Sequence, residues 1–357
     1  MRFRNIAITI IILAVILCVV MFPDTLLESA KNGVQLWLNQ IMPTLLPFMI
    51  LINILSKTGF FSFAGSILNP VMQLLFNVPG QGGLALVSGF LSGYPMGAKV
   101  TAILRERGEI NQAQAERMLT FTNNSGPLFI LGAVGVGIFS SARVGYFIML
   151  IHYASALITG MLFRFYKDKD GENNHYAPSK VDTRFVGDAP LGKVISESIM
   201  QSMENMLLIG GTIILFSVLS GVAGMFAGGS FAVLFTGALE MTNGVFTLAR
   251  SATKLSLEWQ IILSAMFISF GGLSIHTQTA AVLKGTDIRA GVHTAAKCVQ
   301  TAVTCALGLA LYPLLMTNME AQTIHAWKPL GTSMYVMYAV ACCALIASAV
   351  VMRFRKM

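Results

Sequence analysis

Residues Gly82–Arg107 read GGLALVSGFLSGYPMGAKVTAILRER, and this stretch decides the fold. It is apolar at both ends and is interrupted in the middle by Ser92-Gly93-Tyr94-Pro95. A transmembrane helix needs about 20 apolar residues, whereas the interruption leaves two arms of about ten each. Gly and Pro favour a turn, and Pro95 suits the first position of a new helix. The stretch therefore predicts a re-entrant helical hairpin that turns near the membrane midplane and returns to the side it entered from.

A hairpin of this kind marks a site. Non-helical backbone at membrane depth is tolerated only where protein buries it or water fills a cavity. In many secondary transporters such interrupted helices meet around the substrate near the midplane. The hairpin therefore predicts a transport site at its tip.

The composition places the whole chain in a membrane. Its 357 residues are 55% hydrophobic and 11% charged, whereas soluble domains carry about 25% charged residues. The net charge of +8 fits basic residues at the cytoplasmic ends of membrane segments, so the expected partner is the lipid bilayer and not nucleic acid. The fold class is therefore an all-α polytopic membrane protein, and the sequence leaves homo-oligomerisation open.

The order of segments predicts two repeats of opposite sense. The predicted parts are an uncleaved N-terminal transmembrane helix (1–24), a first repeat (25–165, hairpin 82–107), a cytoplasmic loop (166–192), a second repeat (193–316, hairpin 231–250) and a C-terminal transmembrane helix with a basic tail (317–357). Each repeat should contain an amphipathic helix, a span, a hairpin, a broken span and a further span. The halves share little sequence, so the inverted repeat is predicted from the order of segments.

The segments behind this prediction are as follows. Amphipathic helices are expected at Thr25–Gln40 and Lys193–Asn205, unbroken spans at Met42–Leu55, Val144–Phe163, Met206–Phe226, Cys298–Met316 and Met334–Met352, and broken spans at Met118–Phe139 and Trp259–Leu283. Gly108–Arg117 is expected to be a short polar segment outside the bilayer.

The distribution of basic residues predicts the topology. With both termini in the cytoplasm and both hairpins re-entrant, five of the 24 basic residues lie outside, namely Lys31, Arg143, Arg250, Lys254 and Lys328. Such an asymmetry is what the positive-inside rule predicts. The two hairpins then enter from opposite faces of the membrane.

Two charges are expected deep in the membrane, where ionisable residues are costly and mark function. Lys99 lies near the N-terminus of the returning hairpin arm, where free N–H groups and a cation could bind an anion such as a carboxylate. Alternatively, Lys99 extends to the inner surface. Glu240 at the second hairpin tip could bind a proton or Na⁺, hydrogen-bond a substrate or pair with Lys99; the alternative is a packing role.

The interruptions supply the remaining predicted substrate-binding residues. These are Ser92, Gly93, Tyr94 and Pro95 at the first tip, Thr122, Asn123, Asn124 and Ser125 in the first broken span, Thr242 and Asn243 at the second tip, and Ser274, His276 and Gln278 in the second broken span. Amides and hydroxyls next to a half-helix can cap it and still reach a ligand. For His276 a structural hydrogen-bonding role is the alternative.

No catalytic constellation is visible, so the chain is not expected to be an enzyme. It has no phosphate-binding glycine loop, no metal-ligand spacing and no Ser/His/acid grouping. The expectation is therefore no metal and no cofactor, with H⁺ or Na⁺ left open as a coupling ion.

Two motifs carry a resemblance to a known family. SGYPMGAKVTA (Ser92–Ala102) and FTNNSGPLFILGAVG (Phe121–Gly135) resemble the YlbJ-type sporulation integral membrane proteins of the nucleoside-recognition, or Gate, group. TGALEMTNG and FGGLSIHTQ (Phe270–Gln278) fit the same pattern, and the resemblance runs from about Leu36 to Leu315. The Gate group is similar in fold to concentrative nucleoside transporters, which implies paired hairpins and broken helices around a substrate.

The resemblance also implies a function. In endospore formers, YlbJ-type proteins are expected to move dipicolinate, a small aromatic dicarboxylate, across the outer forespore membrane during sporulation by alternating access. Tyr94 would offer such a ligand a stacking face. The alternatives are a nucleoside or nucleobase transporter and a membrane scaffold that transports nothing.

Overall fold

The computed structural model describes residues 2–57, 67–167, 190–226, 229–250 and 255–316, and all regular structure in these ranges is helical. The helices are α1 (Arg2–Met21), α2 (Pro23–Leu36), α3 (Met42–Lys57), α4 (Asn69–Phe76), α5 (Gly82–Ser92), α6 (Met96–Glu106), α7 (Gln112–Thr122), α8 (Phe129–Ile138), α9 (Ala142–Leu162), α10 (Leu191–Phe226), α11 (Gly229–Leu239), α12 (Met241–Arg250), α13 (Leu257–Phe270), α14 (Gly272–Val282) and α15 (Ala290–Leu315). Helix α8 is a wide, π-type helix.

The chain is a polytopic membrane protein. In the described ranges, five helical stretches are long and apolar enough to cross a bilayer: Pro23–Leu55, Ala142–Phe165, Leu191–Met225, Leu257–Val282 and Ala290–Leu315. Several predicted parts lie outside the described residues, namely most of the loop 166–192, residues 58–66, and the C-terminal helix Met334–Met352 with its tail.

Two expected boundaries do not exist. Thr25–Gln40 and Met42–Leu55 form one continuous helix, because α2 passes into α3 through a π-type turn at Trp37–Ile41. Lys193–Asn205 and Met206–Phe226 likewise form the single helix α10. The amphipathic segments are therefore the ends of long helices and not separate elements.

These two long helices lie antiparallel and contact each other along their length. Asn53 Nδ2 donates to Ser202 Oγ at 2.8 Å, and Trp37 Nε1 donates to the Met206 carbonyl at 3.1 Å. At one end Lys57 Nζ lies 2.7 Å from Glu197 Oε2. The series of contacts along both helices stabilises each as a continuous rod.

The predicted first hairpin is present as helices α5 and α6. The chain turns at Gly93-Tyr94-Pro95, and a Cβ on Gly89 would lie 3.0 Å from Gly97 Cα and 1.8 Å from the Thr122 carbonyl oxygen. The two arms therefore cross where neither has a side chain, against the end of α7. Each arm has 11 residues, a length of about 16 Å or roughly half a hydrocarbon core. That length fits the predicted re-entrant path.

The second hairpin is built in the same way from α11 and α12. Its turn is confined to Glu240, and a Cβ on Gly244 would lie 2.3 Å from Gly237 Cα. Both halves of the chain thus contain a hairpin with a glycine crossing, followed by a broken helix. Their opposite orientation in the membrane stays a prediction.

Both predicted helix breaks are present. Helix α7 ends at Thr122, and residues 123–126 are non-helical before Pro127 starts the next helix. Between α13 and α14 the break is a kink at Gly271 (φ 83°) and Gly272 (φ 70°), where the left-handed backbone favours glycine.

A third expected boundary is wrong. The polar segment Gly108–Arg117 is not a separate element, because α7 begins at Gln112 within this segment. Its position outside the bilayer stays a prediction. Asn111 and Gln114 form a reciprocal capping box that starts the helix there. Glu116 and Arg117 are buried as a result.

Candidate functional site

Each hairpin tip contacts the break of the helix that follows it in the chain. A Cβ on Gly93 would lie 2.7 Å from the Gly126 nitrogen, and a Cβ on Gly272 would lie 3.0 Å from Glu240 Cα. In both halves, therefore, the backbone of the tip lies directly against the backbone of the break. The Tyr94 hydroxyl also donates to the Ile268 carbonyl at 3.2 Å, so the first tip lies near the second break as well.

A cavity opens between the interruptions. Eight of the predicted site residues line it, namely Ser92, Gly93, Tyr94, Ser125, Glu240, Thr242, Ser274 and Gln278. Its other walls are mostly apolar side chains of α3, α8 and α10. About 70 Å³ is open to the centres of water molecules, which is room for several waters. Ser92 Oγ is buried without a hydrogen-bond partner among the described residues, so it is available to a ligand.

The most buried cation among the described residues is Lys297, whose ammonium faces the ring of Tyr94. Its side chain is 0% exposed, and its Nζ lies 5.2 Å from the Tyr94 ring centroid. Nζ donates to Asn124 Oδ1 at 3.0 Å and to Gln300 Oε1 at 2.7 Å. Within the described ranges no carboxylate oxygen lies within 4.0 Å of it. Lys297 is therefore held by neutral oxygens and an aromatic face alone.

Asn124 connects the first break to α15. Its Oδ1 also accepts from Gln300 Nε2 at 3.2 Å, and its Nδ2 donates to the Phe121 carbonyl. Both ends of the amide are thus engaged, and its oxygen is directed at Lys297. In the structure Asn124 therefore holds a buried lysine, and its contact with a ligand stays a prediction.

His152 of α9 supports the same break from behind. Its Nε2 accepts the backbone N–H of Ser125 at 3.2 Å, and its Nδ1 lies 2.8 Å from Ser269 Oγ. Because a backbone nitrogen can only donate, Nε2 must be unprotonated and the imidazole neutral. Thr304 Oγ1 continues the chain to Ser269 Oγ (2.9 Å) and Ser155 Oγ (2.8 Å).

Asn123 links the first hairpin to the second half. Its Oδ1 accepts the backbone N–H of Ala98 at 3.4 Å, which fixes the amide so that Nδ2 donates. Nδ2 then contacts Thr279 Oγ1 at 3.0 Å and His293 Nε2 at 3.2 Å. His293 in turn packs against His276, with ring centroids 5.2 Å apart. His276 is thus outside the cavity lining and beside this cluster.

At the second tip, Glu240 is buried and caps α12. Its Oε2 accepts the backbone N–H of Asn243 at 2.6 Å. Asn243 is itself bound to α10, because its Oδ1 accepts from Ser217 Oγ (3.1 Å) and its Nδ2 donates to the Ile213 carbonyl (3.1 Å). Glu240 and Thr242 line the cavity, whereas Asn243 does not.

Lys99 does not hold the position expected of it. Its side chain is exposed and does not line the cavity, and no described ion pair joins it to Glu240. The expectation that Lys99 is the deep cation is therefore corrected, since that place belongs to Lys297. Pro95 and Thr122 lie at the tip and the break without lining the cavity.

Sequence reasoning missed the polar face of α15. It comprises His293, Lys297, Gln300 and Thr304, all buried. Their spacings of four, three and four place them on one side of a helix. This helical spacing is visible in the sequence, but the predicted span begins at Cys298 and therefore does not include Lys297.

A second polar cluster joins the two halves away from the cavity. Arg105 donates twice to the carboxylate of Asp287, at 2.9 and 2.8 Å. These hydrogen bonds hold the pKa of Asp287 below its usual value. Beside them the buried carboxylate of Glu116 lies 2.9 Å from Arg289 Nε and 3.2 Å from Lys167 Nζ.

Comparisons with known proteins find a matching family model and a similar curated protein. A family model described as Gate, nucleoside recognition, matches residues 38–162. The chain is 33% identical to the sporulation integral membrane protein YlbJ of Bacillus subtilis (strain 168), over 88% of this chain and 84% of that relative.

Two solved structures of CNTnw variants are also similar. One, in the intermediate 3 state, has a TM-score of 0.45 and 13% identity over 86% of this chain and 85% of its own. The other, in an outward-facing state, has a TM-score of 0.42 and 13% identity over 84% of this chain and 86% of its own.

Proposed function

The chain belongs to the YlbJ family of sporulation membrane proteins with the Gate domain, and we propose that it transports a small organic anion. The substrate that best fits the site and the family resemblance is dipicolinate, moved across the outer forespore membrane during sporulation. The predicted orientation has both termini in the cytoplasm.

The observation that carries this proposal is the buried Lys297 beside the first break. A buried ammonium without a counter-ion is costly, and an anionic ligand relieves that cost. Asn124 and Gln300 add amide groups around the same cation. The cluster thus supplies positive charge and hydrogen bonds next to a membrane-embedded cavity.

The cavity supports an aromatic ligand with polar ends. Its walls are mainly apolar, with the Tyr94 ring on one side and, nearby, the Ser92 hydroxyl, which has no hydrogen-bond partner in the part of the chain that the structure describes. Small-molecule sites in general combine apolar walls with a few oriented polar groups. An aromatic dicarboxylate has this distribution of surface.

Tyr94 lies between the cavity and Lys297, because it lines the cavity and its ring faces the Lys297 ammonium. Its hydroxyl donates to the Ile268 carbonyl at 3.2 Å, close to the second break. In the proposed cycle a ligand carboxylate takes the place of the ring at Nζ when the hairpin tip moves. Alternating access would follow from motion of the two tips against the two breaks.

Reconstitution tests the proposal. Purified full chain in proteoliposomes should take up radiolabelled dipicolinate faster than protein-free liposomes, and excess unlabelled dipicolinate should compete. Uptake equal to that of the protein-free control contradicts transport and supports the scaffold alternative.

A nucleoside or nucleobase is the second candidate substrate. It is favoured by the description of the family model, which covers both the first hairpin and the first break. Competition separates the two candidates, because uridine should leave dipicolinate uptake unchanged if the site selects anions. Uridine uptake without dipicolinate uptake would reverse the assignment.

A further inference from the structure

Lys297 is surrounded by groups that cannot balance its charge. Nζ contacts Asn124 Oδ1, Gln300 Oε1 and the Tyr94 ring, and no described carboxylate is within ion-pair distance. Amide oxygens and an aromatic face stabilise an ammonium only partly once it has lost its water. The charged form of Lys297 therefore needs a partner that the described residues do not supply.

The neighbouring titratable groups do not supply it either. His152 on α9 is neutral because Nε2 accepts a backbone N–H, and His293 on α15 accepts at Nε2 from the Asn123 amide. His276 on α14 contacts Thr294 through Nδ1 and carries no negative charge. Tyr94 on the first hairpin is engaged with the Ile268 carbonyl as a neutral donor. The groups facing Lys297 from α9, α14 and the hairpin are thus neutral or basic. Helix α13 carries a titratable side chain only in its first turn, at Glu258, and those of α7, Glu116 and Arg117, are bound to Arg289, Lys167 and Tyr166.

This arrangement couples two binding events. A carboxylate entering the site favours the ammonium form of Lys297, and the ammonium favours the carboxylate. Each therefore binds more tightly in the presence of the other, as thermodynamic linkage requires. Without the anion, the buried amine is the less costly form.

We propose that Lys297 takes up a proton with each anion, so that the protein couples anion movement to proton movement. The amine of Lys297 binds one proton from water on the side where the anion enters. The ammonium returns that proton to water on the side where the anion leaves, and the amine is restored. This coupling rests on the proposed function and names its coupling ion.

Calorimetry on the purified full chain measures this proton directly. Dipicolinate, isophthalate and benzoate are titrated into the protein at one pH in buffers of different ionisation enthalpy, and the slope of heat against that enthalpy counts protons. The parent protein should take up about one proton per anion bound. Anion binding without proton uptake overturns the coupling but leaves anion transport standing, whereas no binding of any of the three anions overturns both.

Variants identify the group that carries the proton. Lys297→Arg keeps a permanent positive charge, so it should bind the anion with no proton uptake. His276→Gln should keep the uptake of the parent, and so should the exposed-loop control Lys284→Met. Uptake that persists in Lys297→Arg, or that disappears in His276→Gln, contradicts the assignment to Lys297.

Discussion

Lys297 Nζ lies 3.0 Å from Asn124 Oδ1 and joins α15 to the first helix break across 173 positions of the chain. The same oxygen accepts from Gln300, and the amide nitrogen is held by the Phe121 carbonyl. The break is therefore not a free loop, because its side chains are fixed by a cation of the second half. Any ligand that binds Lys297 competes with these contacts.

The first prediction exploits this contact by changing only the charge of Asn124. Asn124→Asp should fold normally, because an aspartate at this distance pairs with Lys297. It should nevertheless weaken dipicolinate binding by at least about tenfold, since the internal carboxylate satisfies the cation. Asn124→Ala removes the oxygen without supplying a charge, and it should weaken binding less. Equal anion affinity for Asn124→Asp and the parent, measured by calorimetry, would argue against a role for Lys297.

The second prediction separates the ring of Tyr94 from its hydroxyl. Tyr94→Phe keeps the aromatic face over Lys297 and loses the hydrogen bond to the Ile268 carbonyl. Its dipicolinate flux should stay within about threefold of the parent, because one such hydrogen bond contributes about 1 kcal/mol or less. Tyr94→Leu removes the face and should lower flux further. If both variants lose flux equally, the hydroxyl and not the ring is the important group.

The third prediction concerns the contact between the first tip and the first break. Gly93→Ala adds a Cβ that would lie 2.7 Å from the Gly126 nitrogen at a residue with φ of 81°. The matched control is Gly108→Ala, which has a similar φ of 70° but no neighbour within 4 Å. Gly108→Ala should lose about 1–2 kcal/mol for its positive φ. Gly93→Ala should lose more, because a φ of 81° with a ψ of −172° suits glycine almost alone and its Cβ meets the break. Thermal unfolding in detergent measures the difference, and equal midpoints would mean that the contact adjusts freely.

The fourth prediction concerns the ion cluster that joins the two halves. Glu116 is fully buried, with Arg289 Nε at 2.9 Å and Lys167 Nζ at 3.2 Å. Glu116→Gln should therefore lower the free energy of unfolding by about 2–4 kcal/mol. Glu109→Gln is the control, because its contact with Arg107 is 3.9 Å long and the Arg107 side chain is exposed. That variant should cost at most about 1 kcal/mol, and denaturant titration in detergent compares the two.

The features that follow from local sequence were predicted well. Gly and Pro set the first hairpin and both breaks, because positive φ and a missing N–H leave few alternatives at Gly93, Pro127 and Gly271. The second hairpin was predicted from the polar residues between its two apolar arms. The residues of these interruptions were therefore expected in the site, and eight of them line the cavity.

The features that depend on packing between distant segments could not be predicted from local sequence. The continuous helix formed by α2 and α3 packs along α10, and this packing keeps both unbroken. No local sequence pattern reveals such a contact. Lys297 was missed for a related reason. Hydropathy alone places the start of the apolar span at Cys298. Lys297, one residue earlier, is buried by its contacts with Asn124 and Tyr94.

The most direct test of the account is dipicolinate flux in proteoliposomes containing Lys297→Met beside the parent protein and Lys284→Met. Methionine has similar length but no charge, so Lys297→Met should reduce the initial rate at least about tenfold. Lys284→Met should transport at the rate of the parent. Equal flux through Lys297→Met and the parent, at equal amounts of folded protein, would contradict the claim that this buried cation binds the transported anion.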